Sequence, residues 1–158
     1  MCEIPGERIV IIEEKYMHVR GFGPKLAANI SHMTQHLHTD DAAKPVASYS
    51  QAVKAGGLVF VSGCIPLNPK TGELVEDSIE NATAQCLDNV RNILVGAGLG
   101  LEDIVKASVF MINTQDYSGM DKVYASTLPK PYPAREAIFV AGLPKGARIE
   151  ISVIAKSR

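Results

Sequence analysis

Few side chains in this 158-residue chain combine a reactive type with a setting that could use it. Arg135 follows Pro129, Pro131 and Pro133 at the mouth of an expected strand. A guanidinium fixed there offers a planar fork to a carboxylate or a phosphate, and the plainer reading is an ion pair with Glu136 or Glu150. Glu150 stands between Ile149 and Ile151, where a carboxylate can orient or deprotonate a water, or simply face solvent. Ser62 closes the run Val61-Ser62-Gly63-Cys64; its hydroxyl could bond a ligand, but with no base nearby it is a poor nucleophile. Tyr49 could lend a ring and a hydroxyl to a pocket, or merely begin a strand. Cys64 reads as a small buried hydrophobe. His32, His36 and His38 have metal-like spacing, but in a polar, Asp-containing stretch they read as solvated, and no metal is expected.

All four histidines (His18, His32, His36, His38) precede residue 40, and none follows Pro45. If the function lies beyond Pro45, Ser-His-Asp, Cys-His and His-ligated metal chemistry are excluded unless the N-terminal segment folds back. Lysine plus arginine number 16 against 17 acidic residues, a net charge of −1. There is no basic excess to neutralise phosphates, so no nucleic-acid partner is expected. The aliphatic run Ile9 to Ile12 is far too short to span a bilayer, and no secretory leader is read. Cys2, Cys64 and Cys86 form no CxxC pair, which fits a reducing, cytoplasmic setting without membrane contact.

These residues need elements to hold them. The length suits one domain. Residues 1–44 hold every histidine and weak periodicity, and read as an N-terminal extension of unknown role ahead of a domain over 45–158. Tyr49 to Ala55, Gly56-Gly57 and Leu58 to Gly63 predict a hairpin. Asp77 with Glu80 three residues later predicts a capping box for a helix whose apolar face is Ile79, Ala82, Cys86, Val90, Ile93, Leu94 and Ala97. Val105 to Ile112 predicts a strand. Asp116 predicts the cap of a second helix with Tyr117, Met120, Val123, Tyr124 and Leu128 on its inner face. Arg135 to Ala141 and Arg148 to Lys156 complete a ββαβαββ order. This is an α+β mixed sheet, with two helices on one face. In the last strand Ile149, Ile151 and Val153 alternate with Arg148, Glu150 and Ser152, so the polar face is left to a ligand or a neighbouring subunit.

Several segments together resemble the RidA (reactive intermediate deaminase, or YjgF) family. They are Tyr49-Ser50-Gln51-Ala52-Val53, Leu58 to Gly63, Ile65-Pro66-Leu67-Asn68-Pro69-Lys70-Thr71-Gly72-Glu73, Asn89-Val90-Arg91, Val105 to Phe110, Tyr132-Pro133-Ala134-Arg135, and Leu143-Pro144-Lys145-Gly146 followed by Ile149-Glu150-Ile151. The resemblance runs from about Ala47 to Ala155 and rests on the order and spacing of the blocks.

The resemblance implies a chorismate-mutase-like fold and a homotrimer with clefts between subunits. It implies hydrolysis of reactive enamines and imines, such as 2-aminoacrylate, 2-iminopropanoate and 2-iminobutanoate, to 2-keto acids and ammonia, without a cofactor. Such species arise from pyridoxal-phosphate dehydratases. Arg135 would hold the substrate carboxylate and Glu150 would activate water. Tyr49, Ser62 and Gly63 would line the pocket, and the Ala137 backbone would meet the substrate nitrogen. Asp121 stands near the cleft where the family often has asparagine, and Glu136 follows the arginine where a small residue is usual. Either carboxylate would compete for the fork of Arg135, although strand alternation should point Glu136 to the opposite face. These two acids favour a rival reading, a non-catalytic module that binds small carboxylates. An endoribonuclease or translation inhibitor is a third reading, weakened by the balanced charge.

Overall fold

Two adjacent glycines turn the first hairpin. Strands β2 (Ala52–Ala55) and β3 (Leu58–Cys64) are antiparallel, with Ala55 opposite Leu58. Between them Gly56 (φ 59°) and Gly57 (φ 77°) occupy the left-handed region that a two-residue hairpin demands. The computed structural model describes residues 34–157. Within them a short strand, β1 (Gln35–Leu37), pairs antiparallel with β2. The expected boundary at residue 45 thus falls after an edge strand of the sheet; His18, His32 and Ile9 to Ile12 lie outside the described residues.

Helix α1 spans Ile79–Gly96. Its cap is Ser78, one residue past the expected Asp77: the Ser78 hydroxyl accepts from the Asn81 backbone N–H. Asp77 instead accepts from the Asn81 side-chain amide at 2.5 Å. With Ser78 as cap, the third helical position is Asn81, so Glu80 cannot close a capping box. The apolar stripe holds: Ile79, Ala82, Cys86, Val90, Ile93 and Leu94 are all buried.

Strand β4 (Ile104–Met111) leads to helix α2 (Tyr117–Thr127), then strands β5 (Ala134–Phe139) and β6 (Ile149–Lys156). Asp116 holds the N-cap position of α2 as expected, but its side chain makes no capping bond. Its buried carboxylate accepts from Arg148, 2.7 Å from Nη2 and 3.3 Å from Nε, and so ties the start of α2 to the foot of β6. A long-range arginine has outcompeted the local backbone for this side chain.

The six strands lie in the order β1-β2-β3-β6-β4-β5; β4 and β5 are parallel, as a strand–helix–strand crossover requires, and the other pairs are antiparallel. This is the expected α+β sheet with both helices on one face. That face carries Val59, Val61, Ala107, Val109, Met111, Ile149, Ile151 and Val153, all buried with α1 and α2 in one core. The opposite face carries Ser108, Phe110, Glu150, Ser152 and Ile154, together with Phe60 (42% exposed) and Ile138 (45% exposed). No described helix is long and apolar enough to cross a membrane.

Candidate functional site

One cluster forms where β3 slips against β6. The pairing runs Val61 to Val153 and resumes at Cys64 to Ile151, so Ser62 and Gly63 together face Ser152. The bulge re-aims its residues, and a glycine there leaves room for a neighbouring side chain. A β-carbon on Gly63 would lie 1.9 Å from the Glu150 Oε1, so the carboxylate occupies the space a side chain would take. The Ser62 hydroxyl donates to the Ser50 carbonyl at 2.7 Å. Tyr49 is half-exposed, and its hydroxyl accepts from the Val46 N–H at 3.3 Å. Tyr49, Ser62 and Gly63 line one small cavity with Lys44, Gln51 and Cys64.

Glu150 is partly buried, and that burial raises its pKa above the usual carboxylate range. Cys64 is buried and its thiol is pushed up to about 12, by burial first and by the Glu150 charge second. Cys86 rises for the same leading reason. Both are inert apolar fillers, as Cys64 was expected to be.

Of the residues around this cluster, Lys44 escaped the sequence reading, and His36 was read only as part of a metal-like run. Lys44 lines the cavity, and His36 Nδ1 lies 2.8 Å from the Ser50 hydroxyl, so a histidine does fold back beside the domain. Strand β1, which places His36 there, is too short to show periodicity. Among the described residues no three His, Cys, Asp or Glu side chains are placed to hold a metal ion, and His32 of the metal-like run lies outside them.

The second cluster lies on edge strand β5. Arg135 stands opposite Ala107, and Ala107 faces the helices, so the guanidinium reaches α2. Its Nη1 donates to Asp121 Oδ1 at 2.7 Å, and its Nη2 donates to the Tyr117 hydroxyl at 3.1 Å. Its central carbon sits 4.6 Å from the Tyr124 ring centroid. Tyr117, Asp121 and Tyr124 share one side of α2 by their spacing of four and three. Burial works to lower the Arg135 pKa, but the bond to Asp121 and its charge outweigh that and raise it. The Tyr124 hydroxyl is a buried side-chain oxygen without a hydrogen-bond partner among the described residues. Ala137 lies on the same side of β5, opposite Val109.

Neither plain ion pair anticipated for Arg135 forms. Glu136 points to the opposite face, as alternation requires. There it accepts from Ser108 Oγ at 2.7 Å and pairs with Lys106 at 3.3 Å, contacts that lower its pKa. Asp121 is the acid that takes the fork; it engages Nη1, while Nε takes part in neither the Asp121 nor the Tyr117 bond.

The predicted residues therefore fall into two groups. Tyr49, Ser62, Gly63 and Glu150 gather at the bulge. Arg135, Asp121 and Ala137 gather at the edge. Glu150 pairs with Phe110 on the open face, whereas Arg135 lies on the helix face, so one chain does not bring the two catalytic candidates together.

A family profile described as endoribonuclease L-PSP matches residues 39–157. The chain is 43% identical over 123 residues to a RutC family protein of Pyrococcus horikoshii, covering 78% of this chain and 98% of that one. It is 40% identical over 119 residues to the chloroplastic Reactive Intermediate Deaminase A of Arabidopsis thaliana, covering 75% of this chain and 64% of that one. The crystal structure of RidA from an Antarctic Psychrobacter superposes with a TM-score of 0.73 at 39% identity, covering 75% of this chain and 96% of that one. With matches of this extent, on the sheet that carries both residue clusters, the chain belongs to the endoribonuclease L-PSP family, which includes the reactive intermediate deaminases.

Proposed function

We propose that the protein hydrolyses reactive 2-imino and 2-enamino acids, such as 2-iminopropanoate, 2-iminobutanoate and 2-aminoacrylate, to 2-keto acids and ammonia. The observation that carries this reading is the division of the two clusters between opposite faces of one sheet. An arginine suited to a carboxylate stands at the edge, and a carboxylate suited to proton transfer stands at the bulge. A homotrimer with sites between subunits would set the arginine of one copy against the glutamate of the next. The open sheet face, with Phe60 and Ile138 over 40% exposed, supports contact between copies.

The chemistry asks little of the protein. An imine carbon is already electrophilic. Arg135 binds the acid group and fixes that carbon. Glu150 accepts a proton from a water as the water oxygen bonds to the carbon. Glu150 passes that proton to the nitrogen. The new hydroxyl gives up its own proton to the same carboxylate, which relays it to the nitrogen as the carbonyl forms, and the carbon–nitrogen bond breaks to release ammonia. An enamine first takes a proton from water at its β-carbon and loses one from nitrogen to become the imine. Glu150 suits this exchange because burial raises its pKa from the ordinary carboxylate value, which makes it a stronger base. Orientation supplies most of the remaining acceleration, and no cofactor is called for.

The test is keto-acid release in a coupled assay with a dehydratase that generates the imine. Arg135→Ala is expected to abolish the acceleration while the oligomer persists by sedimentation. Full activity in that variant would remove the mechanism. A second reading has one observation in its favour: the Asp121 carboxylate already sits on Arg135. A binding module of this kind would be stabilised thermally by 2-ketobutyrate without any turnover.

A further inference from the structure

The Arg135 half-site is electrically balanced before any substrate arrives. Asp121 Oδ1 lies 2.7 Å from Nη1, and the remaining polar contact of the fork is the neutral Tyr117 hydroxyl. The Arg135 side chain is only 22% exposed and rests on the Tyr124 ring, whereas Asp121 is 47% exposed. The pair is thus held at the surface of the half-site by packing beneath the cation. A substrate carboxylate that binds the rest of the fork sits beside a second carboxylate.

We propose that Asp121 is a specificity-determining residue that discriminates by charge. As the resident counter-ion of Arg135 it weakens binding of substrates with an ionised acid group, relative to isosteres whose corresponding group is an uncharged amide. This rests on the reading that Arg135 receives the acid end of the substrate. The neutral isostere can still accept N–H bonds from the guanidinium through its carbonyl oxygen, and it meets no repulsion from Asp121. Two carboxylates flanking one guanidinium lie about 6 Å apart, and after discounting for the exposure of Asp121 the repulsion amounts to about a tenfold weakening of affinity. Because the effect is one of charge and partly exposed, it fades as salt is raised.

Equilibrium binding of 2-oxobutanoate and of 2-oxobutanamide to the full chain tests this. Asp121→Asn keeps the shape and removes the charge; Asp121→Glu keeps the charge and serves as the conservative rescue. The expected result is that Asp121→Asn tightens the acid by about tenfold or more, with a change under about twofold for the amide, and that Asp121→Glu restores the weak binding of the acid. High salt should shrink the gap between wild type and Asp121→Asn. Equal tightening of both ligands, unchanged or weakened binding of the acid, or no binding of either by any variant would overturn the proposal. The outcome separates from the hydrolase reading. A tightened acid complex in a protein that turns over no imine keeps this inference and ends that one. Turnover with unchanged acid binding in Asp121→Asn does the reverse.

Discussion

The bulge and the edge hold their charges by opposite means. Glu150 sits on β6, a strand bonded on both sides, and its carboxylate lies against the backbone of Gly63, where burial raises its pKa. Arg135 sits on an outermost strand and is held from outside the sheet by one helix, whose Asp121 binds it and whose Tyr124 supports it. A carboxylate that burial disfavours is prepared to take up a proton. A cation with a counter-ion in place receives a second anion only beside that counter-ion. In the proposed reaction the two halves would divide proton transfer from anion binding. The proposed base stands on a strand bonded on both sides, and the fork stands on an edge strand.

The contrast can be broken first at the edge. Arg135→Lys keeps the charge but loses the planar fork and its stacking on Tyr124, so keto-acid release should fall by about tenfold to a hundredfold, mostly through KM. An unchanged rate would show that charge alone, not the fork, does the binding. At the bulge, Glu150→Gln should cost about a hundredfold or more in kcat, the range for a lost general base. Gly63→Ala should mimic part of that loss, because its methyl collides with the Glu150 carboxylate. An active Gly63→Ala enzyme would show that the position of Glu150 is not critical.

Smaller effects follow from pH. Because the folded-state pKa of Glu150 is raised, the native state binds the proton more tightly than the unfolded chain, and folding is opposed as pH rises through the carboxylate range and above. Glu150→Gln removes that cost. Its Tm should exceed the wild-type value at neutral pH, with the gap closing as pH falls below the ordinary glutamate range. A gap that widens in acid would mean that the carboxylate is stabilised, contrary to this account.

The sequence pattern carried much of the framework. The glycine pair, the α1 stripe and the alternation in β6 each follow from local rules, and each holds. Alternation also placed Glu136 away from Arg135 correctly. Ser78 displaced Asp77 as a cap by one residue, Asp116 went to Arg148 across the fold, and β1 joined the sheet through three residues without a periodic signal. The first was decided by a neighbouring side chain, the last two by tertiary partners. The same holds for the site: the residue types were legible, but the capture of Arg135 by Asp121 and the placement of Glu150 on the opposite face depend on strand register and helix docking.

The central claim is that an arginine and a glutamate from different copies complete one site. Chains carrying Arg135→Ala and chains carrying Glu150→Gln, each inactive alone, can be unfolded, mixed in equal amounts and refolded together. If the site lies between copies, random mixing restores an intact pair in about a quarter of sites, and activity should return to about that fraction of wild type. Mixed oligomers that remain as inactive as their parents would contradict the account.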